Sequence, residues 1–182
     1  MKTLGFILLH VMMTLSLELC QKDEEIANDD ENAGGGKANI VLTAGGEQYK
    51  ITGPCGWASA LGTKYIGAND AGNNLKTFSV FFNIDNPPAK TTTYTLVDDV
   101  NDEDPTHIRM NITEMRGSSL FEYTSTNTSG KLTLVVSGNK VTADLTGITL
   151  KPSTGENPIF PSLNTGAFSK TGTLSGTLEF EK

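Results

Sequence analysis

The sequence predicts an all-β domain: an antiparallel β-sandwich or flattened barrel of about nine to eleven short strands. Three observations carry that expectation. From Ala38 onward, apolar and polar residues alternate in short runs, the period of a half-buried strand. Clusters of Gly, Asn and Pro punctuate those runs at regular intervals. Gly, Thr and Ser are abundant, while the Ala-Glu-Leu-Lys runs that build helices are missing.

The elements follow in chain order. Ala38 to Ala44 is a strand with Ile40 and Leu42 on one face. Gly45-Gly46 turns it back into Glu47 to Thr52, where Tyr49 and Ile51 alternate. Two glycines between alternating runs signal a hairpin, because primed turns need positive φ. Gly53-Pro54-Cys55-Gly56 reads as a sheet corner with Cys55 as a small buried side chain; a reactive thiol is the competing reading. Trp57 to Leu61 and Thr63 to Ala68 read as two further strands divided by Gly62, and residues 69–74 as a turn cluster. Leu75 to Ile84 is the clearest strand. Phe78, Val80, Phe82 and Ile84 form its core row, which Lys76 begins at the edge.

Asp85-Asn86-Pro87-Pro88 ends that strand. Thr91 to Val97 places Tyr94 and Leu96 on one side, and His107 to Met115 alternates Ile108, Met110 and Ile112. Ser119 to Ser125 carries Phe121 and Tyr123. Lys131 to Ser137 and Val141 to Leu150 make a hairpin about Gly138-Asn139. A bulge is expected at Gly147, where the apolar phase slips from Leu145 to Ile148 and Leu150. Residues 151–167, with Pro152, Pro158 and Pro161, read as a long surface loop. Phe168 to Phe180 is the last strand; it must pair within the same domain, so no second domain is expected.

The N-terminus has a different character. Lys2 precedes an apolar stretch from Leu4 to Leu17, shorter than the ~20 residues a spanning helix needs, so residues 1–19 read as a cleaved export signal. Leu17-Glu18-Leu19-Cys20 resembles a bacterial lipobox, with Leu19 where that pattern has a small residue. The resemblance implies lipidation at Cys20. Gln21-Lys22-Asp23-Glu24-Glu25 resembles the acidic export signal of Bacteroidota surface lipoproteins, which implies an outer-membrane location facing outside. A solvated acidic tether on a periplasm-facing lipoprotein is the competing reading. The β domain likewise resembles the small β domains of Bacteroidota lipoproteins in its opening hairpin and Gly/Thr-rich end, a likeness that implies no activity.

Residues 20–37 hold dense acidic side chains and end in Gly34-Gly35-Gly36, so the segment reads as a flexible tether reaching about 60 Å at full stretch. That leaves a single domain at 38–182. The net charge of −7 and pI near 4.8 argue against nucleic acid and against charge-driven binding to anionic lipid. Cys20 and Cys55 are the two cysteines, so lipidation of the first excludes a disulfide framework.

No catalytic constellation can be assembled from the sequence. Beyond the export signal, His107 is the only imidazole, and G-x-S-x-G, H-E-x-x-H and Cys/His zinc patterns are absent. The acidic stretch Asp98 to Asp104 is the metal candidate, with Asp99, Asn101 and Glu103 spaced as the start of a calcium loop; a solvated acidic loop is the alternative. For carbohydrate, a sugar face stacks on an exposed ring, and Trp57, Tyr65 and Tyr94 are the candidates, with Tyr123 as a further amphipathic ring. The expected function is non-catalytic: a lipid-anchored surface module for glycan or host polymer. The alternatives are an accessory envelope lipoprotein with a protein partner, and a small barrel enclosing an apolar ligand along the Phe78 to Ile84 row.

Overall fold

A computed structural model describes residues 35–100, 104–153 and 160–182. It contains eleven strands: β1 (Gly36–Ala44), β2 (Glu47–Ala60), β3 (Thr63–Asp70), β4 (Asn73–Phe82), β5 (Thr92–Leu96), β6 (His107–Arg116), β7 (Ser119–Thr124), β8 (Lys131–Ser137), β9 (Lys140–Asp144), β10 (Thr149–Pro152) and β11 (Gly172–Glu181). A 3-10 helix, Gly166–Ser169, is the single helical turn among the described residues.

Nine strands close into a barrel in the order β1-β2-β3-β4-β6-β5-β8-β9-β11, and β11 pairs back onto β1. β7 and β10 are additional strands in the wall. The wall forks. The second edge of β6 takes β5 at His107–Ile108 and β7 from Asn111 onward. The second edge of β11 takes β9 at Thr177–Glu181 and β10 at Gly172–Thr173. The two ends therefore have different walls. At the entry end, where β1 begins and β11 finishes, the closure runs through β5, β8 and β9. At the far end, beside the Gly45–Gly46 turn, it runs through β7 and β10.

Strand alternation decides what fills the barrel. Inward rows such as Ile40 and Leu42, Phe78 and Val80, and Ile108, Met110 and Ile112 are all 0 % exposed. No solvent-sized space borders Phe78 or Val80, so the row expected to line a ligand cavity is packed core; Ile84 packs partly buried against it.

Several sequence expectations are corrected. The sheet is mixed, since β5 runs parallel to β6. β2 is one fourteen-residue strand, where a corner at Gly53–Gly56 followed by a separate strand was expected. The strand runs on because β2 changes partner at that point: Glu47 to Cys55 pair with β1, and Cys55 to Ala60 pair with β3. Val141 to Leu150 is not one bulged strand. It breaks between β9 and β10, yet both halves stay on β11, with Leu145 N–H donating to the Gly176 carbonyl and Gly147 N–H to the Leu174 carbonyl. Phe168 belongs to the 3-10 helix and not to the final strand, because its ring packs on Tyr49 and Phe121.

Candidate functional site

The β6 inward row does not stop at Ile112. Its phase carries on to Glu114 and then Arg116 at the far end. A carboxylate on that row points into the barrel, and Glu114 is 2 % exposed. Burial of this kind is costly unless the charge is paired and hydrogen-bonded. Four donors satisfy it. Arg116 Nε and Asn73 Nδ2 each donate to Oε1 at 2.8 Å. Arg116 Nη2 donates to Oε2 at 2.9 Å and the Tyr49 hydroxyl to the same atom at 2.7 Å.

Each partner is positioned by its own strand. Tyr49 lies on the inward row of β2, in register with Leu42 of β1. Asn73 opens β4, and Lys76 of β4 stands directly across from Glu114. Lys76 Nζ sits 4.3 Å from the centroid of the Tyr49 ring. The other side of that ring stacks on Phe121 at 4.1 Å and 11°, and Phe168 meets both rings edge-on. Aromatic packing thus fixes the phenol that serves the carboxylate.

The electrostatics follow from these contacts. Burial alone raises the Glu114 carboxyl; the hydrogen bonds from Arg116 and Tyr49 outweigh it and hold the group below the ordinary glutamate range. Burial pushes the Tyr49 phenol well above its usual value, and the bond to Glu114 pushes it further, so Tyr49 remains a donor. The Arg116 guanidinium is held above its usual value by the same carboxylate.

With four bonds accepted, Glu114 has no acceptor position left for a substrate proton or a metal ion. Donors remain. Glu114 occupies the Nε/Nη2 edge of Arg116 and leaves the Nη1/Nη2 edge open on a side chain that is 64 % exposed. Lys76 donates no hydrogen bond to a described residue; its ammonium sits over the Tyr49 ring and helps hold the Glu114 carboxylate ionised from across the strand pair. The mouth can therefore hold an acceptor.

The residues expected to display rings do not do so. Tyr94 is 2 % exposed on the inward row of β5, edge-on to Phe82 at 5.3 Å. Tyr65 is 6 % exposed, lying over Gly67 and against Phe81 at 6.0 Å. Trp57 is partly buried, its ring 4.9 Å from Phe82. Tyr123 is 0 % exposed, with its hydroxyl against the carbonyls of Phe168 and Lys170. Strand phase turns Tyr94, Tyr123 and Trp57 toward the core, and the missing side chain at Gly67 lets Tyr65 lie flat.

The remaining candidates do not join the Glu114 network among the described residues. Asp99 is exposed; Asn101 and Glu103 lie outside the described residues, as do Cys20 and residues 21–34. The Asp104 carboxylate accepts from the Thr106 N–H and hydroxyl, and His107 Nε2 stands 3.7 Å from it at the end of β6. The Cys55 thiol is buried and donates to the Glu179 carbonyl at 3.2 Å.

Sequence reasoning missed the Glu114 network. Its signal was present: extending the Ile108-Met110-Ile112, Tyr49-Ile51 and Phe78-Val80 rows by one or two steps points Glu114, Tyr49 and Lys76 into the same end of the barrel. Comparison of the chain with protein-family models, with curated proteins and with solved structures finds no match.

Proposed function

We propose that this chain is a lipid-anchored surface protein, held at the outer membrane through Cys20, whose barrel binds a glycan or host polymer without catalysis at its far mouth. The observation that carries this reading is the polarity of the barrel. β1 begins at the entry end, with Gly36 opposite Cys55 and Lys37 opposite Glu179, while the Glu114 network lies at the other end. A tether that joins β1 at the entry end leaves the far mouth directed away from the anchor. The saturated acceptors of Glu114, beside unclaimed donors on Arg116 and Lys76, support binding over proton transfer. One observation favours the accessory reading. Leu61, 60 % exposed at the β2–β3 turn with φ at 50°, offers a protein partner an apolar tip.

The test labels cells with an alkyne fatty acid and treats them, intact, with a protease that cannot cross the outer membrane. The reading expects a labelled chain that is shaved away. A labelled but protected chain would move the accessory reading ahead, and an unlabelled chain would remove the anchor.

A further inference from the structure

We propose that the far mouth is a receptor for the carboxylate of an acidic sugar, with the open edge of Arg116 and the ammonium of Lys76 as its two anchoring groups. The inference rests on reading the far mouth as a binding surface and names the ligand class for it.

Four observations carry it. First, the Arg116 guanidinium is built in, not loose. Glu114 is buried and grips it through Nε and Nη2, which fixes the plane and aim of the remaining Nη1/Nη2 edge. A guanidinium has two edges that match a carboxylate bidentately, and here the protein's own carboxylate fills only one. A donor pair whose rotamer is already set loses less entropy on binding. Second, Lys76 is a second cation with no described acceptor, seated on the Tyr49 ring and in register with Glu114. Lys76 and Arg116 are diagonal neighbours across β4 and β6, a spacing of roughly 7–8 Å that lets two long side chains reach one ligand.

Third, the neutral side chains that touch Glu114 are already committed. Tyr49 and Asn73 donate to Glu114, the Asn73 carbonyl accepts from Leu75 N–H, and Asp70 accepts from Thr52 N–H. The donors left uncommitted directly beside Glu114 are the two cations, Arg116 and Lys76, which select an anion. Fourth, the net charge of −7 does not oppose such a ligand at the barrel. Residues 1–34 hold seven acidic and two basic side chains, whereas 35–182 hold fourteen and twelve. The repulsive charge is concentrated in the segment joined to the opposite end.

The experiment titrates the ¹⁵N-labelled, lipidated full chain in nonionic detergent with sodium D-glucuronate and with a galacturonate trimer. D-Glucose and sodium sulfate are the controls, and the Arg116 Nε–Hε resonance is the readout. The expected result is a saturable shift with both sugar acids, none with glucose, and at least tenfold weaker binding of sulfate. Lys76→Gln, which leaves all four bonds to Glu114 in place, should weaken the sugar acids at least tenfold in a chain that stays folded, with its amide dispersion retained. No shift, equal shifts with glucose and glucuronate, sulfate binding as tightly as the sugar acids, or a Lys76→Gln chain that binds like wild type would each overturn the proposal. Protease shaving of cells reads the anchored orientation separately. A shaved chain that ignores sugar acids overturns the ligand class alone, and a protected chain that binds them overturns the orientation alone.

Discussion

Glu114 shows at the scale of one residue how a barrel tolerates a charge. Its four hydrogen bonds replace the water that burial removes. Removal of the carboxylate strands Tyr49 and Asn73 but leaves Arg116, which is mostly exposed and can rehydrate. Glu114→Ala should therefore cost about 2–3 kcal/mol, at the low end for a broken buried pair, as read from urea unfolding. The pH dependence has a definite sign. The folded carboxyl is held below its unfolded value, so its stabilising contribution is complete above about pH 4.3 and is lost as pH falls through the folded value. The melting temperatures of wild type and Glu114→Gln should differ by a constant amount from pH 5 to 8 and converge on further acidification. A gap that widens toward acid would contradict the pairing. Cys55 gives a second residue-scale test. Burial pushes its thiol up to about 11, so at pH 8 the thiolate is scarce and enclosed. In the lipidated chain, Ellman's reagent should leave Cys55 unmodified in native buffer and titrate one thiol in guanidinium. The sequence made the small buried cysteine readable, because Gly53, Pro54 and Gly56 leave little else around it. It did not make Glu114 readable as a site, because the four groups come from β2, β4 and β6 and meet only once the barrel closes.

The elements test how far local pattern goes. Alternation locates most strands, since β4, β5, β6, β7 and β8 each begin and end within a residue or two of the apolar runs. It fails where a strand changes partner. In β2 the Gly-Pro-Cys-Gly run looks like a corner because turns and partner changes use the same residue types. Gly147 looks like a simple bulge because the sequence shows the phase slip but not the strand it lies against. That strand is β11, and its Gly176 is the matching irregularity, at φ 104°. A Cβ there would run into the carbonyl oxygen and carbon of Asn39 in β1, whereas a Cβ on Gly147 would meet open space. The two glycines should therefore respond differently. Gly147→Ala pays only the strain of a positive φ, about 1 kcal/mol. Gly176→Ala adds a backbone clash in the seam between β1 and β11 and should lower the urea midpoint by at least twice as much. Equal losses would mean that β11 can shift away from β1 freely.

For the whole molecule the sequence leaves sandwich and barrel open, because the two differ in one long-range pairing that no local pattern encodes. That pairing is β11 on β1, with Lys37 opposite Glu179 and Ala44 opposite Gly172. The parallel step from β5 to β6 is hidden for a similar reason: the stretch between them reads only as an acidic loop, while its ends return Val97 N–H to the Ile108 carbonyl. The same β11 also carries β9 and β10, so one strand holds the first strand of the fold and both branches of the forked wall. A chain ending at Gly176 loses the pairing of β9 with β11, the pairs of Lys37, Ala38 and Asn39, and the side chains of Leu178 and Phe180, each 1 % exposed. Those two side chains alone account for roughly 3–6 kcal/mol of burial, against a total stability of about 5–15 kcal/mol for a domain. In a sandwich of two independently paired sheets, such a cut would fray one edge and leave the other sheet in place. In the closed barrel it opens the ring where the first and last strands meet. The truncated chain should therefore lose amide dispersion in all strands together, along with the near-ultraviolet dichroism of Trp57 packed on Phe82. Retained dispersion in β2, β3, β4 and β6 would instead show that this half stands without closure, and that β1–β11 pairing is an addition to the fold and not its condition.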